Sequence, residues 1–174
     1  MKKLFILIIV VLLIFSGCVS NTIAEKFGKI PIQELPKEYM PDIAIENGDY
    51  VNFHGEISNE NVMNDFLEKV DKNEEAYIRT VQYTIEGDPL INDFYYAKNK
   101  FTVTTDNSRD RFGGKDTTRE EKEFKYLKTV EIGNYSYLIV TNLEEIPTNS
   151  DIYFEGFYLP NDSSIILKEE MIKQ

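Results

Sequence analysis

The chain has 174 residues, with 30 Asp+Glu against 19 Lys+Arg and a formal charge of −11. One cysteine, one histidine and no tryptophan exclude an internal disulfide and leave a Cys/His zinc site short of ligands. So acidic a chain predicts no nucleic-acid partner, because phosphate contacts need clustered Lys and Arg, while an apolar fraction of 42% is ample for a folded domain.

Lys2 and Lys3 precede an unbroken apolar run from Leu4 to Phe15, followed by Ser16, Gly17 and Cys18. A positive start, a short apolar stretch and small residues make a secretory signal. As a helix this run would cover about 18 Å, short of the roughly 30 Å hydrocarbon core of a bilayer. The Ser16-Gly17-Cys18 ending resembles a bacterial lipobox. That resemblance implies a signal peptide over 1–17, diacylglycerol on the Cys18 thiol and acyl chains such as palmitate. Two or more chains on one residue anchor stably. Removing 1–17 takes two bases and no acid, leaving 17 bases against 30 acids and a charge of −13. Anionic head groups would repel this charge, so the acyl chains must hold the protein to the extracytoplasmic face of the cell membrane.

Residues 18–47 form the lipidated cysteine and a linker. Pro31, Pro36 and Pro41 fall at five-residue intervals, and residues before proline avoid helical backbone. The stretch therefore reads either as an extended spacer or as an irregular arm packed on the domain through Ile30, Ile32 and Ile43.

A single domain is expected over 48–160, with a tail over 161–174. Tyr50-Val51-Asn52-Phe53 is a short strand, and Ser58 or Asn59 can cap a helix. Val62, Met63, Phe66, Leu67 and Val70 then form an apolar helical stripe, with Asp65–Lys69 and Glu68–Lys72 pairs outside it. Strands follow at 77–86, with Val81, Tyr83 and Ile85 on one face, and at 90–96 after a Gly87-Asp88-Pro89 turn. Phe101, Val103 and Thr105 mark a third, and Phe124, Tyr126 and Val130 a fourth. A Gly133-Asn134 hairpin leads to Tyr135, Tyr137 and Ile139, and 151–159 reads as a sixth strand. Residues 165–171 read as a final strand or a frayed helix. The expected class is α+β, one amphipathic helix packed on a mainly antiparallel sheet of five or six strands.

Gly48-Asp49, His54-Gly55, the run from Ile78 through Tyr83-Thr84-Ile85-Glu86-Gly87-Asp88-Pro89, and Asp106-Asn107-Ser108-Arg109-Asp110-Arg111-Phe112-Gly113-Gly114 carry a family resemblance. Over roughly 48–130 the chain resembles an uncharacterised family of small Gram-positive lipoproteins with a domain of unknown function, number 4362. The resemblance implies no catalytic residue, ligand or cofactor.

Any Ser–His–Asp or Cys–His arrangement must use His54, and no nucleophile motif accompanies it, so it reads as a turn residue. Glu86, Asp88, Asp93, Asp106 and Asp110 are acid–base candidates, against a background in which acids mostly sit on solvated surface. Asp106-x-Ser108-x-Asp110 starts like a calcium loop, but Arg111 and Thr117 replace the required Gly and Glu. The segment 107–119 runs against the overall charge, with Arg109, Arg111, Lys115 and Arg119 facing Asp110 and Asp116. It reads as a contact for a small anion or acidic polymer, or as a polar loop whose arginines pair with nearby acids. The expected ligand-contact set is thus His54, Asp106, Arg109, Asp110, Arg111, Lys115 and Arg119. Without a complete catalytic set, the chain reads as a lipid-anchored, non-catalytic module for a small anion, wall polymer or protein partner, needing no cofactor or metal. An acid-based envelope hydrolase and a structural or inhibitory partner protein are the alternatives.

Overall fold

The computed structural model describes residues 22–113, 119–132, 135–145 and 163–170. Among the described residues three α-helices, rather than the one expected, accompany the strands: α1 (Ile23–Lys26), α2 (Pro41–Glu46) and α3 (Glu60–Asp71), with a 3-10 turn at Ile32–Glu34. The strands are β1 (Tyr50–Phe53), β2 (Glu56–Ser58), β3 (Ala76–Tyr83), β4 (Pro89–Ala97), β5 (Lys100–Asp106), β6 (Arg119–Phe124), β7 (Tyr126–Ile132), β8 (Tyr135–Thr141) and β9 (Ser163–Glu170).

Six strands form one sheet in the order β2-β1-β3-β4-β5-β6. All its pairs are antiparallel except β1 with β3. A parallel pair needs a crossover, and α3 lies in that connection. The class is α+β with a mixed, mainly antiparallel sheet. Between β4 and β5, Lys98 and Asn99 both take positive φ (52° and 59°), the two-residue turn whose twist suits a hairpin.

The expected single strand through Phe124, Tyr126 and Val130 is two strands in two sheets. β6 borders the large sheet, and β7 begins a second sheet, β7-β8-β9. The chain crosses at Lys125, whose N–H donates to Thr141 O (3.2 Å). The expected C-terminal tail contains β9, paired with β8. The strand expected over 151–159 and the Gly133-Asn134 turn lie outside the described residues, although Ile132 and Tyr135 on either side of that turn are paired.

Alternation sends successive side chains of each strand to opposite faces. On one face Tyr50, Ile78, Phe94, Tyr96, Phe101, Val103 and Phe124 join Met63 and Phe66 of α3, Val140 and Ile166 in one core. α3 therefore packs on β1 and β3 on the same side as the smaller sheet. Truncating a phenylalanine in such a core costs about 3–5 kcal/mol.

The opposite face is covered by the segment before β1. Ile32, Leu35, Tyr39 and Ala44 are buried against Val51, Val81, Tyr83 and Ile91. Residues 22–47 are thus a packed layer and not an extended spacer. Of the isoleucines expected to make the contact, Ile32 is 4% exposed, while Ile30 and Ile43 are 46% and 36% exposed. Ile85 does not share the face of Val81 and Tyr83 either: it sits in the turn after β3 and is 91% exposed. Asn59 starts α3 in the left-handed region without capping it; its amide donates instead to Ile45 O (2.9 Å) and Asp49 O (2.8 Å), tying helix to arm.

A cleft between the arm and the outer strands

The strand register lines up three rows of side chains on the arm-facing side. Val51, Val81, Ile91, Asp106 and Arg119 form the first. Arg79, Asp93, Thr104 and Glu121 form the second, and Tyr77, Tyr95, Thr102 and Glu123 the third. The first and third rows grow more polar toward β6, and the second is polar throughout. The arm's apolar side chains match the β1–β3–β4 end, which leaves the β5–β6 end uncovered by apolar packing.

Charged groups hold the arm there. Arg79 is 1% exposed. It grips Asp93 through Nε–Oδ1 (2.6 Å) and Nη2–Oδ2 (2.9 Å), and donates to Ile30 O (2.9 Å). Burial works against the Arg79 charge, but Asp93 outweighs it and keeps the guanidinium protonated. Asp49, fully buried, accepts from Tyr39 Oη (2.5 Å) and Lys29 Nζ (3.0 Å). Burial, then the Asp49 charge, push the Tyr39 hydroxyl well above the ordinary phenol range.

The basic segment is spent in the same way. Asp106 is fully buried and takes Arg109 Nη1 (2.6 Å), Arg119 Nη2 (2.6 Å) and the Ser108 N–H (2.9 Å). Burial alone would raise its carboxyl, but the bonds from Ser108, Arg119 and Arg109 win and hold it at about 2. Arg109 also donates to Ile32 O (3.3 Å), Leu35 O (2.9 Å) and Pro36 O (3.0 Å), closing the arm over the sheet. Arg111 binds Asp88 through its N–H (2.9 Å) and Nε (2.8 Å), which lowers the Asp88 carboxyl. Asp110 accepts the Phe112 N–H (2.9 Å). His54, at positive φ, donates from Nε2 to Thr84 O (2.8 Å) and stacks on Phe53. Lys115 and Cys18 lie outside the described residues. Of the expected contact set, Asp106, Arg109 and Arg119 converge. Arg111 joins Asp88 instead, and His54 belongs to the turn beside Thr84.

Between arm and outer strands lies a cleft of about 420 Å³. Residues 22–24 and 31–33 form one wall, Tyr77, Asp93 and Tyr95 the floor, and Thr102, Thr104 and residues 119–121 the far side. Phe27 stacks on Tyr77 (5.4 Å between centroids) and meets Tyr95 edge-on (6.0 Å). Tyr77 Oη is enclosed beside the Asp93 carboxylate, with no partner at full hydrogen-bond geometry among the described residues. Burial, with Asp93 nearby, pushes this hydroxyl far above its ordinary value, so it stays a neutral donor and acceptor. Among the described residues, Arg119 alone of the expected contact set lines this cleft. The signal for the others was available: polar residues at Asp93, Thr102 and Thr104 hold one face of strands whose other face is apolar.

Among the described residues no group of three His, Cys, Asp or Glu could hold a metal, and no helix is long and apolar enough to cross a membrane. A family model described as "Domain of unknown function (DUF4362)" matches residues 47–136. The match leaves out the arm that forms one wall of the cleft. No curated protein and no solved structure matches the chain.

Proposed function

We propose, for a chain that belongs to the DUF4362 family, a lipid-anchored, extracytoplasmic, non-catalytic module that binds its ligand in the cleft between arm and sheet. The observation that carries this reading is a cleft of about 420 Å³ on which Tyr77, Asp93, Thr102, Thr104, Arg119 and Glu121 converge. The volume falls in the roughly 300–1,000 Å³ range of small-molecule sites. In this reading α3 is the amphipathic cover of the opposite face. The lipobox-like ending at Cys18 supports attachment to the outer face of a Gram-positive-type cell membrane.

Metabolic labelling with a fatty-acid analogue should mark the parent and not Cys18→Ala; equal labelling of both removes the anchor. A thermal-shift screen of wall polymers, peptides and ions should raise the melting temperature of the parent but not of Thr104→Trp, which fills the cleft. An absence of any shift removes the binding reading. A second reading, a protein partner, draws support from Ile85 and Phe112, 91% and 71% exposed on loops at one end of the large sheet.

A further inference from the structure

We infer that the cleft takes a neutral polyhydroxylated ligand, a saccharide or polyol, an inference that rests on the binding reading above. The charges around the cleft are already spent on one another. Arg79 and Asp93 form a closed two-point pair, and Arg119 binds Asp106. Glu120 pairs with Lys122 and Glu123 with Lys100. Glu121 remains, accepting the Thr104 hydroxyl (3.3 Å). Arg109 and Arg119 share Asp106 while Glu121 has no basic partner among the described residues, so the left-over charges of the two signs balance, and a ligand of either charge would meet its like beside its opposite and lose its hydration. An apolar ligand would leave the Glu121 carboxylate and the exposed side of the Arg119 guanidinium covered without polar partners.

What the cleft offers instead is hydroxyl chemistry beside aromatic surface. Tyr77 and Tyr95 present amphipathic rings, and Thr102 and Thr104 present hydroxyls on the adjacent strand. The Glu121 carboxylate can accept two donors from adjacent hydroxyls, and the Arg119 guanidinium, 38% exposed, can donate to two acceptors. Two such forked groups fit the paired hydroxyls of a sugar ring. Thr22 stands in the cleft wall four residues after Cys18, a span of at most about 14 Å. An anchored protein would therefore hold the cleft near the membrane surface, where a free saccharide and a glycolipid head group present the same chemistry.

The test titrates the full-length chain, in a zwitterionic sugar-free detergent, with maltose and N,N′-diacetylchitobiose. A parallel arm uses phosphatidylcholine vesicles with and without diglucosyl diacylglycerol. Citrate and spermidine serve as charged probes. Saturable binding of a soluble disaccharide, or of the glycolipid vesicles alone, is the expected result, and the two arms separate the sources. Thr102→Val should weaken binding about five- to tenfold. It should leave the unliganded melting temperature unchanged or raised, which a hydroxyl serving the fold would not allow. Glu121→Gln should weaken binding as well, and Ile85→Ser, at the loop end, should not. If citrate or spermidine binds instead and the two cleft substitutions weaken it, the saccharide class is overturned and the cleft stands. If nothing binds, or binding ignores both substitutions, the cleft reading falls too.

Discussion

Arg79 shows how a residue's role follows from its partners. It lies in a strand between Ile78 and Thr80, where a long charged side chain would ordinarily face water. It is buried because Asp93 stands opposite on β4 and the Ile30 carbonyl closes the third side. Removing one member strands the other charge, at a cost of about 3–5 kcal/mol. Urea denaturation of Asp93→Ala should show a loss of that size, while the double replacement Arg79→Met with Asp93→Leu should recover most of it. Equal losses in both variants would mean that packing, not charge, sets the cost.

At the level of elements, the arm is the feature most dependent on a few contacts. Its 3-10 turn and short helices, of four and six residues, are too brief to be stable alone. Burial of Ile32, Leu35 and Tyr39 supplies the apolar part, and Arg109 donates to three arm carbonyls. Bonds from a charged donor contribute about 1.5–3 kcal/mol each when well formed. Arg109→Ala leaves Asp106 with Arg119 and should release the arm first. Limited trypsin digestion should then cut after Lys37 at least tenfold faster, with β3 to β5 still protected. An unchanged rate would show that the apolar contacts hold the arm unaided.

For the molecule as a whole, the large sheet is covered on both faces, by the arm on one side and by α3 with the smaller sheet on the other. Its stability should fall in acid over a defined window. The Asp106 carboxyl sits at about 2 in the fold against an ordinary 3.8. The unfolded chain therefore binds more protons between these values, and stability present above pH 4 is lost as the pH falls toward 2. The contribution is at most about 2 kcal/mol. Chemical denaturation at steps from pH 5 to 2 should show this decline, and it should be shallower in Arg119→Gln, which gives up one of the bonds that lower the carboxyl. A decline of equal steepness would assign the acid sensitivity to other carboxylates.

Strand alternation in Phe101-Thr102-Val103-Thr104, the turn residues Lys98-Asn99 and the pairing of Ile132 with Tyr135 are written in local pattern, because side-chain period and turn chemistry act within a few residues. The break at Lys125 is not, since Phe124 and Tyr126 alternate as one strand would. The residue pattern of the arm is equally compatible with a spacer, and the basic 107–119 segment with an anion contact. Tertiary structure decided the packing of the arm and the partners of Arg109, Arg111 and Arg119. Arg79 finds Ile30 at 49 residues' separation, and Arg109 finds Leu35 at 74. Periodicity reports which face a side chain occupies. Which distant carbonyl or carboxylate meets it there depends on how the layers pack, and that packing sets the arm across from β5 and β6 to make the cleft.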